Sequence, residues 1–356
     1  MNILEQIYDT TLNKITFNER KVSITNPNTI LLGPPKSGKS YLIYDYLSNY
    51  KAEEYLYIDF NDYKNNSSEI QKYLYSFLKE HQIEVLVLEN FNFDFELPMV
   101  KSTIISTTMS YKIDNFEYLY LGALDFEEFL LFDTKHQNTS YSFNSFLKYG
   151  NFPEIIDFTE SKKASRNYEI CQLFCDDKTD EAILFLLIKN ASEKKSIFQL
   201  FNTLKKEMKI SKDRFYKTCE YYENNNIIFY CQKFMQPKAV KKIFLYNHAL
   251  VDMVSYKKNF NNLFKNMVFL EINNRYEEIY YLDNIDFYLP NENTLILAIP
   301  FFNNFVSSSI ISKILPMISQ HNIKEVSIVT ISTEQSIFIG ELEAQISPFY
   351  SWVLTL

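Results

Sequence analysis

The segment Gly33-Pro34-Pro35-Lys36-Ser37-Gly38-Lys39-Ser40 carries glycines, a lysine and a hydroxyl at the fixed places of G-x-x-x-x-G-K-[ST]. Each place has a chemical reason. Phosphate oxygens need converging backbone N–H donors, so the chain must curl tightly around them. Gly33 and Gly38 permit that curl and leave room for the anion. Lys39 brings a point charge to β- and γ-phosphates, and the Ser40 hydroxyl suits Mg²⁺. Pro34, Pro35, Lys36 and Ser37 fill the loop, and Tyr41 follows it in the first turn of a helix whose positive end faces the anion. Glycine is scarce: average usage of about 7% would give roughly 25 in a chain of this size. This chain has 5, and two occupy the required positions. The segment predicts a site for a nucleoside triphosphate, ATP with Mg²⁺.

Such a site needs acids at the end of a neighbouring strand. The run Val85-Leu86-Val87-Leu88-Glu89-Asn90 has four apolar residues and then an acid. In its natural register Glu89 takes the Mg²⁺ position and Asn90 stands where a water-activating acid is expected. A shift by one residue would make Glu89 the base and lose the metal contact. Either way one carboxylate is missing, and an amide has no useful basicity, which predicts slow or no hydrolysis. Asp59, at the end of another strand, is a substitute base or a strand-end cap. Thr107 or Thr108 stands where a polar sensor of the γ-phosphate is expected. None of the four arginines, Arg20, Arg166, Arg214 and Arg275, has the context of an arginine finger.

The elements that must position these groups are legible as alternating strands and helices. Ile24 to Leu32 leads into the loop and Tyr41 to Asn49 is helical. Glu54 to Phe60, Glu84 to Leu88, Ser102 to Thr107 and Tyr118 to Leu121 read as strands, with a helix over Ser67 to His81. That alternation predicts an α/β fold with a parallel sheet. Beyond Pro153 come helices over Asp180 to Asn190, Ser196 to Met208 and Ser211 to Glu223. Strands over Ile227 to Phe234 and Lys242 to Tyr246 follow. Three helices and a hairpin is the order of a winged helix. From about residue 255, a helix over Asn259 to Asn273 precedes strands at Ile279 to Leu282, Asp286 to Leu289 and Thr294 to Ile299. A helix over Ser307 to His321 and strands at Glu325 to Ile331 and Phe338 to Glu343 complete a small α/β unit.

The 356 residues suffice for two or three domains. The net charge of −8 is uneven: Lys189 to Lys242 holds 13 Lys+Arg against 5 Asp+Glu, and the remainder 23 against 39. One anion-facing module is one reading and a solvated helical surface the other. Lys205, Lys206, Lys209, Lys212, Arg214 and Lys217 lie on or beside the third helix, where DNA would be read. Phe215, Tyr216, Tyr221 and Tyr222 on that helix read as core. The four cysteines form no C-x-x-C and have no nearby histidine, as expected of reduced thiols in the cytoplasm. No signal peptide or membrane span is legible.

Several stretches together resemble one family, the bacterial and archaeal AAA-type ATP-binding proteins that join a P-loop domain to a winged helix and a nuclease-like C-terminal domain. They are the loop at Gly33–Ser40, the run Leu121-Gly122-Ala123-Leu124-Asp125-Phe126-Glu127-Glu128-Phe129-Leu130, Tyr149-Gly150-Asn151-Phe152-Pro153-Glu154, and Lys242-Ile243-Phe244-Leu245-Tyr246-Asn247. The resemblance implies an AAA-type P-loop NTPase sheet over 1–165, a winged helix over 166–254, and a restriction-endonuclease-like α/β domain over 255–356. In that last domain Glu271 and Asp286-Phe287 match the family's acids. The family's "E-x-K" falls near Ala298 and Pro300, which implies a nuclease fold without nuclease chemistry. The expected activity is a nucleotide-dependent switch, with a protein partner or DNA at the winged helix; the alternative is a DNA-binding winged-helix protein in which ATP binding is regulatory. The oligomeric state stays open.

Overall fold

The computed structural model describes residues 3–10, 18–107, 112–135, 138–254 and 259–356, and for residues 304–307 the backbone alone. Thr108 lies outside the described residues. The chain divides into two units, Met1–Ala123 and Leu124–Leu356.

In the first unit α1 (Ile3–Tyr8) and β1 (Asn28–Leu32) precede α2 (Lys39–Leu47), β2 (Tyr55–Asp59), α3 (Ser67–Glu80), β3 (Val85–Glu89), β4 (Ser102–Ser106) and β5 (Glu117–Tyr120). The strands form one parallel sheet in the order β2-β3-β4-β1-β5. Every residue of β3 and β4 is buried, as their unbroken apolar runs require of central parallel strands. The helix α3 turns Ile70, Leu74, Phe77 and Leu78 onto the sheet, and Asn66 caps it by accepting from the Glu69 N–H at 3.1 Å. Because β1 is internal and the glycine-rich loop leaves its end into α2, the unit has the architecture of a P-loop NTPase domain.

The second unit opens with α4 (Phe126–Phe132), α5 (Thr139–Tyr149) and α6 (Glu160–Gln172). It continues with α7 (Lys178–Lys189), α8 (Ile197–Glu207), α9 (Lys212–Asn224), β6 (Ile228–Lys233) and β7 (Lys242–Leu245). Then come α10 (Leu250–Met253), α11 (Phe260–Asn273), β8 (Tyr280–Leu282), β9 (Ile285–Leu289), β10 (Thr294–Ala298) and α12 (Asn304–His321). The chain ends with β11 (Glu325–Thr330), β12 (Gln335–Ile339), β13 (Leu342–Pro348) and α13 (Phe349–Trp352). Eight strands make one mixed sheet in the order β12-β13-β11-β10-β9-β8-β6-β7.

Three features differ from the sequence reading. Residues 124–165, assigned from sequence to the first domain, pack in the second unit. Phe126, Phe129, Phe143 and Phe146 share a core with Phe264, Phe349 and Trp352. The expected boundary after residue 254 is bridged by the sheet itself, since β6 pairs with β8 through Gln232↔Tyr280 and Lys233↔Tyr281. The single strand expected over Phe338 to Glu343 is instead the tip of a hairpin: Phe338 and Ile339 end β12, Gly340 and Glu341 make the turn, with φ 66° at Gly340, and Leu342 and Glu343 begin β13.

Apart from the Gly33–Ser40 loop, the stretches of the resemblance that fall in the second unit pack against one another. Leu124 N–H donates to Asn151 O at 2.9 Å, and the Phe152 and Tyr246 rings lie 5.2 Å apart. Gly150, at φ 85°, has no room for a side chain: a Cβ there would lie 2.2 Å from Asn247 Oδ1. Asn266 on α11 completes the end of β7, accepting from Leu245 N–H at 2.7 Å and donating to Leu245 O at 2.8 Å.

Candidate functional site

The loop between β1 and α2 is built for close approach. Gly33 has φ 141°, and a Cβ there would lie 2.1 Å from the Leu121 carbonyl oxygen. Lys36 and Gly38 also have positive φ, at 65° and 101°. Gly38 is the N-cap of α2 and offers no side chain to its first N–H groups, so the helix keeps its donors and its positive end for a ligand. Among the described residues, Ser37 Oγ is buried without a hydrogen-bond partner. A cradle too tight for a Cβ, an uncapped helix start, an orphaned hydroxyl and a buried lysine fit a phosphate chain.

Lys39 Nζ donates to Gly33 O at 2.8 Å and Pro34 O at 2.9 Å, so the ammonium is held by its own loop. Burial pushes it down to about 8, and the charge of Glu89 opposes that. Arg20 supports the loop from outside, donating to Ser37 O at 2.7 Å and to Gly122 O at 3.2 Å.

Parallel pairing aligns the strand ends, with Asp59 beside Glu89 and Glu89 beside Ser106. Glu89 is buried, and both its oxygens accept hydroxyls: Oε1 from Ser40 and Oε2 from Tyr57. Burial raises its carboxyl above the usual range. The bonds from Ser40 and Tyr57 pull it down, Asp59 pushes it up and Lys39 lowers it. Burial and then the charge of Glu89 hold the Tyr57 hydroxyl far above its ordinary value, so it stays a donor. The contact between Ser40 and Glu89 belongs to the register that gives Glu89 the metal position. These two oxygens are the ones that would hold Mg²⁺.

Asn90, at φ 55°, donates its amide N–H to Asp59 Oδ1 at 2.8 Å. The same oxygen accepts from Asn61 N–H at 2.9 Å, so Asp59 does cap its strand end. Thr107 is buried, and its N–H donates to Leu31 O at 3.2 Å on the strand that enters the loop. The sequence reading missed Arg20 and Tyr57. Tyr57 shares a face of β2 with Asp59 by strand alternation, a signal that could have found it. Arg20 stands in irregular chain and gave none.

The expected sites of the second unit look different. Asp286 Oδ1 lies 2.7 Å from Lys265 Nζ and 3.5 Å from Lys242 Nζ, while Oδ2 accepts from Ala298 N–H at 3.1 Å. Glu271, the other matched acid, turns elsewhere: it accepts from Phe126 N–H at 2.8 Å and from Arg275 Nη1 at 3.0 Å. Burial foremost pushes it up to about 7. Among the described residues no group of three or more His, Cys, Asp and Glu could hold a metal ion. The four cysteines are free thiols, and burial raises Cys175 to about 11.

On α9 the basic residues Lys212, Arg214 and Lys217 are matched by Asp213, Glu220 and Glu223. Arg214 also bonds Asp180 at 2.6 Å and Asp177 at 3.4 Å. Phe215 and Tyr222 are buried as expected, while Tyr221 is exposed. Among the described residues no helix is long and apolar enough to cross a membrane.

No family model matches the chain. The chain is similar to the uncharacterized protein MJ1544 of Methanocaldococcus jannaschii, 23% identical over 395 residues, which cover 93% of this chain and 89% of that protein. Among solved structures it is similar to the Walker-type ATPase PABY2304 of Pyrococcus abyssi. The TM-score is 0.43 and the identity 11%, over 64% of this chain and 91% of that one.

Proposed function

We propose that the first unit binds ATP with Mg²⁺ and that the protein works as a nucleotide-dependent switch with slow or no turnover. The observation that carries this reading is the Ser40–Glu89 hydrogen bond beside Lys39 on a loop too tight for side chains at Gly33. Bound Mg²⁺ supplies charge neutralisation and orientation of the β- and γ-phosphates. The loop from Gly33 to Ser40 and the start of α2 at Tyr41 bind the phosphate chain through backbone donors. Lys39 leaves its two carbonyl partners for phosphate oxygens, a stronger charge-assisted bond. Thr107 stands at the strand end as the polar sensor.

Slow turnover follows from Asn90. An amide can hold a water but cannot take its proton, and this one already donates to Asp59. The remaining assignments rest on element order. The helices α7 to α9, the hairpin β6–β7 and a bridge from Lys194 to Lys242 support a winged-helix reading, with a protein partner at its surface. A DNA partner is the weaker reading, because acids match bases on α9 and Arg214 is already paired. The region from α11 to β13 reads as a nuclease-like fold without nuclease chemistry, since Ala298 and Pro300 hold no metal.

The test is binding of a fluorescent ATP analogue and phosphate release measured in one sample. Wild type should bind in a Mg²⁺-dependent way and release phosphate very slowly. Asn90→Glu should speed release on the order of tenfold, a fraction of full general-base assistance. Its carboxylate would stand beside that of Asp59, and a like charge raises basicity. Rapid wild-type hydrolysis that survives Asn90→Ala and disappears in Asp59→Ala would make Asp59 the base and end the slow-switch reading.

A further inference from the structure

A cavity of about 440 Å³ opens in the second unit beside Asp286, between the end of β10 and α12. Among the described residues four lysines line it, Lys194, Lys242, Lys265 and Lys313, with Asp286 as the sole carboxylate. The lysines come from four separate places in the chain, so their meeting is a product of the fold. Lys242 is more than nine-tenths buried, and its ammonium also reaches Asp286 O at 3.2 Å. Burying an ammonium costs several kcal/mol unless it is paired. One aspartate is shared by two lysines, so positive charge is in excess at the cavity, and Lys313 has no carboxylate partner among the described residues. Lys194 lies 4.0 Å from Asp283, which is held more closely by Lys233 at 2.7 Å. The other wall is apolar, with Leu297, Ile299 and Ile310.

A divalent cation does not suit this site, because Lys242 and Lys265 stand on the carboxylate it would need. An anion does. We propose that this cavity is a second ligand site, separate from the P-loop, which binds a phosphate-bearing small molecule. The phosphate lies among Lys194, Lys265 and Lys313, over the buried charge of Lys242, and the organic part rests on the Leu297–Ile299–Ile310 wall. The volume is in the usual range for small-molecule pockets. Loss of the family's metal-binding pattern near Ala298 and Pro300 thus leaves a binding site of opposite charge preference.

The experiment is calorimetric titration of the full chain carrying Lys39→Ala, with AMP in one arm and inorganic phosphate in the other. Binding should be detectable and should weaken with added salt. Lys194→Gln and Lys313→Gln, chosen because both residues line the cavity and are exposed, should each weaken it about tenfold, the worth of a charged hydrogen bond. Asp286→Asn, which keeps an acceptor for Ala298 N–H, should tighten it. Tighter binding of AMP assigns the site to organic phosphates, and equal binding assigns it to the free anion; both support a phosphate site. No binding, or binding that Lys194→Gln, Lys313→Gln and Asp286→Asn all leave unchanged, overturns the proposal. Because Lys39→Ala lies in the P-loop and the three cavity variants do not, an effect of Lys194→Gln, Lys313→Gln or Asp286→Asn in this background reports on the cavity, and failure here is distinct from failure of the ATP reading.

Discussion

Each unit buries a lysine near a carboxylate, and the two pairs are wired oppositely. In the first unit Lys39 donates to backbone carbonyls, and Glu89 accepts hydroxyls from Ser40 and Tyr57. Neutral donors stabilise the carboxylate but leave its charge uncancelled, so it can still attract a cation. In the second unit Asp286 is met by two ammonium groups, which cancel that charge and leave an excess of lysine. The difference teaches that a buried Lys and a buried acid do not by themselves define a metal site. What decides is whether the acid's partners are neutral or charged.

The largest expected effect breaks the first pair. Lys39→Ala should abolish nucleotide binding or weaken it at least about tenfold, ~1.4 kcal/mol or more, because backbone donors alone cannot offset the phosphate charge. Fluorescence titration of both proteins decides it, and equal affinities would remove the loop from the account. Next comes a paired substitution that sharpens the contrast. Glu89→Gln should remove most of the gain that Mg²⁺ gives to nucleotide binding, about tenfold. Asp286→Asn should leave that gain unchanged. If Mg²⁺ dependence followed Asp286 instead, the two pairs would have been assigned the wrong way round.

The smallest effect is a pH dependence. Phosphate binding needs Lys39 charged, and burial holds this lysine at about 8 in the free protein. Affinity should therefore be level below that pH and fall as pH rises through it, by about fourfold between about pH 7 and about pH 8.5. Lys39→Arg keeps its charge throughout and should show no such fall, whatever its absolute affinity. A wild-type profile as level as that of Lys39→Arg would mean that the loop already holds Lys39 fully charged.

How much of this was legible depended on distance along the chain. The tight loop between β1 and α2 was, because Gly33, Gly38, Lys39 and Ser40 lie within eight consecutive residues and the positive φ of both glycines is a local steric matter. The central strands were, because β3 and β4 are apolar runs of the right length. The sequence allows two registers for Glu89, and only the folded chain brings the Ser40 hydroxyl onto its Oε1. Asn90 was legible as the wrong residue for a base, but not as the partner of Asp59, since that contact depends on β2 and β3 lying side by side.

The sequence by itself determined the local pattern: a glycine-rich loop with a lysine and a hydroxyl, an acid after an apolar strand, an amide next to it, and the order of helices and strands. Local steric rules and side-chain periodicity carry that information over a few residues. Only the tertiary structure decided that Arg20 braces the loop and that Tyr57 shares Glu89 with Ser40. Only it joined residues 124–165 to the second unit, merged β6 and β7 with the C-terminal strands, and gathered Lys194, Lys242, Lys265 and Lys313 around Asp286. Those outcomes depend on which distant surfaces bury each other, and burial is what sets the charge and hydrogen bonding of each group.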